Sequence, residues 1–197
     1  MAERLEFKNL AELEKIHLRQ AVEIFADSFY ETFTFISADL DEIVEVLEHS
    51  FISSHHYVAL LDNNVVGVVA FSTSQGRAHK FKREVLFSKL GFIKGSVAYR
   101  RLNNVLGQPL KLKSSQCYID SVATDTAFRG LGISKELQKY LFATLPYKEY
   151  LLEVAKLNFR AIKLYRELGF EKAEIGDIKA VWKPVGEGEK IAMYKAF

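Results

Sequence analysis

The sequence has a single cysteine and almost no excess of charge of either sign. The cysteine is Cys117, so no disulfide can form within the chain. Its neighbours Tyr118 and Ile119 indicate a thiol buried in a strand rather than a catalytic nucleophile. The formal net charge is only +2, so the protein lacks the strongly positive overall field that is typical of nucleic-acid binders. We therefore expect no nucleic-acid partner.

Long apolar segments are missing as well. No apolar run is long enough to cross a bilayer. Residues 1–9 alternate charged and apolar side chains, which is unlike a signal peptide. We therefore expect a cytoplasmic protein with no membrane partner.

The sequence also lacks the spacings of metal sites and of covalent serine enzymes. His55 and His56 are adjacent, and neighbouring residues of a strand point to opposite faces, so this pair does not predict a metal site. Ser114 and Ser115 have no nucleophile-elbow context around them. We expect no metal cofactor and no covalent serine intermediate.

The sequence does contain enough apolar side chains for a sizeable core. With 197 residues, 49% of them hydrophobic, the chain is most simply one domain over residues 1–197. Strand and helix patterns alternate, which favours an α/β fold of the α+β type with a mixed sheet. The predicted helices are 13–33, 39–51, 129–145 and 159–168, and the predicted strands are 5–7, 57–61, 65–71, 117–124, 149–154, 170–175 and 191–197. The first pair of long strands forms a hairpin around Asp62-Asn63-Asn64, and a loop with Pro184 and Gly186 joins the last two strands.

Residues 75–106 form a basic segment between the hairpin and the next strand. Apolar residues recur among the charges, so we expect a mostly helical insertion. Gly91 and Gly95 are predicted to break it into two pieces, because glycine inside a helix costs about 1 kcal/mol relative to alanine. A solvated basic face and a binding surface for an acidic partner are both open interpretations. Its basic residues, which face the single acid Glu84, are Arg77, Lys80, Lys82, Arg83, Lys89, Lys94, Arg100 and Arg101.

The junction Arg129-Gly130-Leu131-Gly132-Ile133-Ser134 follows an apolar strand and opens a helix, which is typical of a phosphate site. The first amides of a helix have no partner in the helix and lie at the positive end of its dipole, so they bind anions. Gly130 and Gly132 let the backbone come close, while Arg129 and Ser134 can donate further hydrogen bonds. The spacing is neither that of the dinucleotide fingerprint nor that of a Walker loop. A turn whose glycines serve geometry alone is the alternative.

The pattern Arg129-x-x-Gly132-x-Ser134 resembles the Gln/Arg-x-x-Gly-x-Gly/Ala motif of the GNAT superfamily of N-acetyltransferases, with Ser134 where Gly or Ala is usual. The segment that follows is similar to the same superfamily, through Leu152-Glu153-Val154, Asn158, Ala161-Ile162-Lys163-Leu164-Tyr165 and Leu168-Gly169-Phe170. The resemblance implies a mostly antiparallel sheet of about six to seven strands, helices on both faces, and a splay between two central parallel strands. It also implies acetyl-CoA as cosubstrate, with its pyrophosphate on residues 129–134.

The resemblance implies roles for residues outside this loop. The backbone of Val122, Ala123 and Thr124 would hold the acetyl carbonyl and the pantetheine arm and supply an oxyanion donor. Asn158 would contact the coenzyme, and Tyr165 would protonate the departing thiolate. As local structure, Asn158 is also suited to cap a helix that Gly169 ends, and Tyr165 to fill the core.

Two carboxylates are candidates for the base that takes the proton of the attacking amine. Glu153 lies in the apolar strand 149–154, where burial favours a raised pKa, and its place matches the base of the ribosomal-protein N-terminal alanine acetyltransferases that this segment resembles. Asp120, on the neighbouring central strand, is the competing candidate. A salt-bridged structural glutamate is the alternative for Glu153.

The predicted function is acetyl transfer from acetyl-CoA to a primary amine of a small molecule or peptide. The first fifty residues and the basic insertion match no motif, so the acceptor stays open. An inactive acyl-CoA-binding or regulatory module, and a basic interaction module using residues 77–101, are the alternatives. The last strand, 191–197, is expected to be exposed and able to pair with a second subunit as a homodimer.

Overall fold

The structure of the protein, a computed structural model, describes residues 5–173 and 189–197. Short 3₁₀ turns lie at Leu10–Glu12, Ser53–His55 and Thr126–Phe128, and a π-helical turn lies at Asn103–Gly107. In chain order the main elements are β1 (Glu6–Asn9), α1 (Lys15–Ser28), α2 (Tyr30–Phe33), α3 (Leu40–Glu48), β2 (His56–Leu61), β3 (Asn64–Thr73), α4 (Arg83–Leu90), α5 (Phe92–Leu102), β4 (Gln116–Thr124), α6 (Ile133–Thr144), β5 (Glu149–Ala155), α7 (Phe159–Glu167), β6 (Glu171–Lys172) and β7 (Lys190–Ala196).

The strands form one sheet in the order β1-β2-β3-β4-β5-β7-β6. Every neighbouring pair is antiparallel except β4 and β5, which are parallel. The predicted mixed, mostly antiparallel sheet is therefore confirmed. The end of the predicted strand 170–175 and the loop with Pro184 and Gly186 lie outside the described residues.

Helices cover both faces of the sheet, as predicted. One apolar core joins the sheet to α1, α3, α4 and α5, and the other joins it to α6 and α7. Val68 and Val69 are neighbours on β3 and belong to different cores, because successive side chains of a strand alternate between faces. The hairpin turn uses Asp62 and Asn63 at φ 47° and 63°, as its residue types predicted.

The predicted helix 13–33 is interrupted at Phe29, where φ is −118°. In a continuous helix Phe25 and Phe33 would lie about 12 Å apart along the axis. The break turns α2 back, so that the two rings lie 5.4 Å apart between centroids. Packing of aromatic side chains into the core thus overrides the helical periodicity.

The two glycines of the basic segment have different roles. Gly91, at φ 73°, separates α4 from α5 as predicted. The prediction for Gly95 was wrong, since Gly95 lies inside α5. A Cβ placed on Gly95 would lie 2.8 Å from the carbonyl oxygen of Leu86 on α4, so this glycine allows the two helices to pack closely.

The last strand is not at the edge of the sheet. β7 pairs with β5 from Lys190 to Ala196 and with β6 through Tyr194 and Met193. That strand therefore offers no free edge along β5 to a second subunit, and the homodimer stays a prediction. No helix in residues 5–173 and 189–197 has the length and apolarity needed to span a membrane.

Candidate active site

A cleft opens between the two parallel strands at the centre of the sheet. β4 and β5 pair only as far as Ile119 and Leu152, although β4 continues to Thr124 and β5 to Ala155. The cause lies on the other side of β4. Ser121 pairs with Ala70 and Ile119 with Phe71, so Asp120 is an extra residue, and such a bulge bends the strand that carries it. The predicted splay is thereby present and begins at Asp120.

Backbone groups of β4 line this cleft. The amide of Asp125 donates to the carbonyl oxygen of Val66 at 3.0 Å. In an antiparallel ladder, bonded and non-bonded pairs alternate, so Ala123 also bonds to β3, whereas Val122 and Thr124 direct their N–H and C=O groups away from β3. Of the three predicted backbone ligands, Val122 and Thr124 face the cleft and Ala123 does not.

The predicted phosphate loop lies at the wide end of the cleft. The predicted helix 129–145 starts only at Ile133, and Gly130 and Gly132 take φ values of 91° and 80° in the loop before it. No amide from Arg129 to Ser134 donates a hydrogen bond within the part of the chain that the structure describes. Amides without a partner at the start of a helix are donors of the kind that binds anions.

Gly67 on β3 explains how the start of α6 comes so close to the sheet. A Cβ on Gly67 would lie 3.1 Å from Cγ2 of Ile133 and 3.5 Å from the carbonyl oxygen of Ala123. Ile133 itself is buried in the core beneath α6. Sequence reasoning missed this role, because Gly67 and Ile133 meet only in the folded sheet.

Two arginines lie near the loop, and only Arg129 was predicted to contribute to it. Arg129 Nε donates to the carbonyl oxygen of Thr124 at 3.1 Å, and its Nη2 lies 3.7 Å from the carboxylate of Asp27 on α1. The predicted anion donor thus has its guanidinium against α1. Arg160 of α7 was not predicted, and its Nη2 lies 3.8 Å from the position of a Cβ on Gly130. Arg160 therefore brings a positive charge beside the free amides.

Helix α7 places the predicted asparagine and tyrosine. The Asn158 side chain accepts a hydrogen bond from the amide of Ala161 at 3.1 Å, so it caps the helix as its residue type predicted, and Gly169 ends the helix at φ 87°. Tyr165 is 9% exposed and packs edge-on against Phe170, with ring centroids 5.7 Å apart. Its hydroxyl has no hydrogen-bond partner among residues 5–173 and 189–197. Burial raises the pKa of Tyr165 to about 12, so the phenol keeps its proton at neutral pH.

Glu153 occupies the first position of β5 beyond the paired region. Its side chain is 8% exposed, and Oε2 lies 3.8 Å from Nζ of Lys190. Burial raises the pKa of Glu153 to about 7, against an opposing effect of Lys190. A carboxylate in this state can accept a proton near neutral pH.

Asp120 occupies the matching position of β4, but both of its oxygens are bonded. Arg77 Nη2 donates to Oδ1 at 2.7 Å, and the Ser72 hydroxyl donates to Oδ2. Burial raises the pKa of Asp120 to about 6, and Arg77 and Ser72 oppose that rise. Arg77 comes from the start of the basic segment, so this ion pair attaches the segment to the floor of the cleft. The sequence contains no local signal for this pair.

A cavity outside the cleft is lined by other residues. It has a volume of about 610 Å³ and lies between α1, the β2–β3 turn and the loop after β4. Four carboxylates line it, but Asp27 already contacts Arg129 and Thr126, and Asp125 caps the turn through the amide of Ala127. None of the predicted catalytic side chains lines this cavity.

The comparisons with known proteins agree with this architecture. The sequence profile of the Acetyltransferase (GNAT) family matches residues 18–170. No curated protein sequence is similar enough to match. The profile covers both motifs on which the resemblance to the GNAT superfamily rested, and that prediction is confirmed.

Solved structures share the fold at low sequence identity. An N-acetyltransferase from Staphylococcus aureus Mu50 is 19% identical with a TM-score of 0.63, over 96% of this chain and 100% of that chain. The NatC complex bound to Gag peptide and CoA has a chain that is 14% identical with a TM-score of 0.54, over 98% and 99% of the two chains. Ard1 from Thermoplasma volcanium is 14% identical with a TM-score of 0.53, over 98% and 97%. At these identities the likeness establishes the fold.

Proposed function

This chain belongs to the acetyltransferase (GNAT) family, and from that premise we propose that it transfers an acetyl group from acetyl-CoA to a primary amine by direct attack of the amine on the thioester. The observation that carries the proposal is the cleft between β4 and β5, which opens at its wide end onto the six free amides of residues 129–134. A pyrophosphate bound there leaves the pantetheine arm directed into the cleft, beside the backbone of Val122 and Thr124.

In this proposal Glu153 acts as the base and Tyr165 as the acid. The amine nitrogen attacks the thioester carbonyl carbon while Glu153 takes a proton from the nitrogen, and a backbone N–H of β4 stabilises the oxyanion. When the C–S bond breaks, the sulfur leaves with the bonding electron pair and takes the proton of the Tyr165 hydroxyl. Solvent then removes the proton from Glu153 and returns one to Tyr165. Asp120 is not assigned a proton-transfer role, because Arg77 and Ser72 hold both of its oxygens.

Calorimetric titration with acetyl-CoA tests the coenzyme site. Gly132→Glu places a carboxylate among the amides that should hold the pyrophosphate, so we expect the Kd to rise by at least about tenfold, a loss of about 1.4 kcal/mol. Gly91→Glu is the matched control, because Gly91 also has a positive φ with no atom within 4 Å of its Cβ position, but lies in the α4–α5 turn. Absence of acetyl-CoA binding by the unaltered protein would overturn the proposal.

The two arginines offer a finer test of the same site. Because the Arg129 guanidinium is against α1 and Arg160 lies beside Gly130, we expect Arg160→Ala to raise the Kd for acetyl-CoA more than Arg129→Ala does. The opposite order would mean that Arg129 turns toward the coenzyme on binding.

The acceptor is proposed only as a primary amine, on a small molecule or at a peptide N-terminus. A panel containing a polyamine, amino acids, an aminoglycoside and short peptides, with release of the coenzyme thiol as readout, distinguishes these classes. Coenzyme binding with no thiol release on any acceptor would favour the alternative of an inactive acyl-CoA-binding module. We propose no nucleic-acid or metal requirement, and a homodimer stays a prediction for sedimentation to test.

A further inference from the structure

Tyr118 lies on the same side of the cleft floor as the two carboxylates. On the sheet it stands between Ser72 of β3 and Leu151 of β5, which are its register partners. Asp120 shares this face, because its carboxylate bonds to Ser72, and Glu153 shares it because it follows Leu151 by two positions. Neither the family motifs nor the proposed roles above include Tyr118.

The ring of Tyr118 is fixed and its hydroxyl is not bonded. Leu110, Leu112 and Leu151 form a small apolar cluster with the ring, and the residue is 8% exposed. Its hydroxyl makes no hydrogen bond to any described residue. A largely buried phenol ordinarily finds a partner for its O–H group, so this donor is open to a water molecule in the cleft.

Glu153 is the carboxylate of β5 on the face that carries Tyr118. Tyr118 pairs with Leu151 on the parallel strand β5, and Glu153 follows Leu151 by two positions on the same face, so the two side chains are neighbours at the start of the cleft. Oε2 of Glu153 is buried, and its contact with Nζ of Lys190, at 3.8 Å, is too long for a hydrogen bond. The pKa of Tyr118 is consistent with this neighbourhood. Burial contributes most to raising it well above 10, and the charge of Glu153 contributes next, followed by Asp120 and then Tyr165.

We infer that Tyr118 is a positioning residue for Glu153, and that its hydroxyl donates a hydrogen bond to the Glu153 carboxylate through one water molecule. The inference rests on the proposed function for the importance of Glu153 but not for its test. By donating to the charged carboxylate, Tyr118 orients Oε2 and keeps the proton affinity of Glu153 from rising further in its buried place.

The test measures the titration of Glu153 rather than turnover. The full-length protein is labelled with ¹³C at the glutamate side-chain carboxyl carbons, saturated with CoA and titrated by NMR, and the Glu153 signal is assigned by its loss in Glu153→Gln. Tyr118→Phe removes only the donor, so we expect the pKa of Glu153 to rise by at least about half a unit, a threefold change in proton affinity. Tyr150→Phe is the control, because Tyr150 is buried in the opposite core with its hydroxyl bonded to the carbonyl oxygen of Leu145 at 3.2 Å.

A rise of less than about half a unit in the Glu153 pKa on Tyr118→Phe, or a fall, would overturn the inference. Should Tyr118→Phe not fold, the reciprocal measurement serves: the ¹³C shift of the Tyr118 ring carbon bonded to oxygen should change in Glu153→Gln, and an unchanged shift contradicts the hydrogen bond. If the Glu153 pKa does not depend on the Tyr118 hydroxyl in a protein that still acetylates amines, only the role of Tyr118 is refuted and the proposed function stands. Failure to bind acetyl-CoA would refute the proposed function. The effect of Tyr118→Phe on the Glu153 pKa could then still be measured in the CoA-free protein.

Discussion

Acidification should destabilise the protein through His56, which is buried in an aromatic environment. His56 stacks on Phe51 with ring centroids 4.4 Å apart and meets His79 edge-on at 5.3 Å. Its Nδ1 lies 2.9 Å from the carbonyl oxygen of Ile52, and its Nε2 has no partner among the described residues. Burial lowers the pKa of His56 to about 4; the Ile52 carbonyl opposes that change and His55 adds to it. The folded state therefore holds the neutral imidazole.

The sign and size of the effect follow from this pKa. Because the folded pKa is below the unfolded value of about 6.5, the stabilisation is complete above pH 6.5 and is lost as the pH falls toward 4. Between pH 8 and pH 5 the loss from His56 alone is about 2 kcal/mol. For a chain of this length that corresponds to a decrease in Tm of roughly 4–8 °C.

Asp120 and Glu153 act in the opposite direction, so the measurement needs a control for them. Their folded pKa values of about 6 and about 7 exceed ordinary values, and the cost of burying their charges is relieved as the pH falls. His56→Asn retains an N–H near the place of Nδ1, for Ile52, but cannot titrate. Urea unfolding at pH 8, 7, 6 and 5 should show about 2 kcal/mol more loss in the unaltered protein than in His56→Asn. If the free energies of unfolding of the two proteins change with pH in parallel, within about 0.5 kcal/mol, the reasoning is refuted.

Further outcomes concern the cleft. Glu153→Gln should lower kcat/KM by about 10²–10⁴-fold and abolish the increase of activity with pH through about 7, since only the ionised carboxylate accepts a proton; an unchanged pH profile contradicts the base assignment. Tyr165→Phe should lower kcat while the calorimetric Kd for acetyl-CoA stays within about twofold, and full turnover refutes the acid role. Asp120→Asn should cost about 3–5 kcal/mol in urea unfolding by leaving the Arg77 guanidinium buried without its counter-charge, which full stability would contradict. Gly67→Val should cost about 1–3 kcal/mol through contact with the start of α6, measured as a lower Tm, and an unchanged Tm would show that α6 can shift.

Local chemistry made part of the site predictable from sequence. Asn158 caps a helix and Gly169 ends it because these residue types satisfy helix ends wherever they occur. The same is true of Gly130 and Gly132, whose positive φ values suit a loop that presents amides to an anion. For such positions a few neighbouring residues determine the conformation, so no knowledge of the tertiary structure is needed.

The two glycines of the basic segment show that helix propensity alone does not predict where a helix breaks. Gly91 and Gly95 have the same low helix propensity, yet Gly91 breaks the helical segment and Gly95 lies within α5. The difference is the carbonyl of Leu86 on α4, which leaves no room for a Cβ at Gly95. Close packing between two helices is a tertiary contact, and propensity carries no information about it.

The position of the last strand was unpredictable for a related reason. Its residues fit a strand, and β7 is one, but strand pairing depends on chain connections rather than on the strand's own pattern. β7 inserts between β5 and β6, so the order in the sheet departs from the order in the sequence.

The choice between two candidate bases depends on the same kind of tertiary information. Asp120 and Glu153 stand at matching positions of β4 and β5, immediately beyond the last paired residues, and each is a carboxylate in an apolar strand. They differ in their partners: Asp120 is bonded by an arginine 43 positions away and by a serine 48 positions away, whereas Glu153 has a lysine at 3.8 Å. A base must have a free oxygen and a pKa near the working pH, and Glu153, at about 7, meets both conditions better than the doubly bonded Asp120. The tertiary partners of the two carboxylates, rather than their sequence context, therefore favour Glu153 as the base.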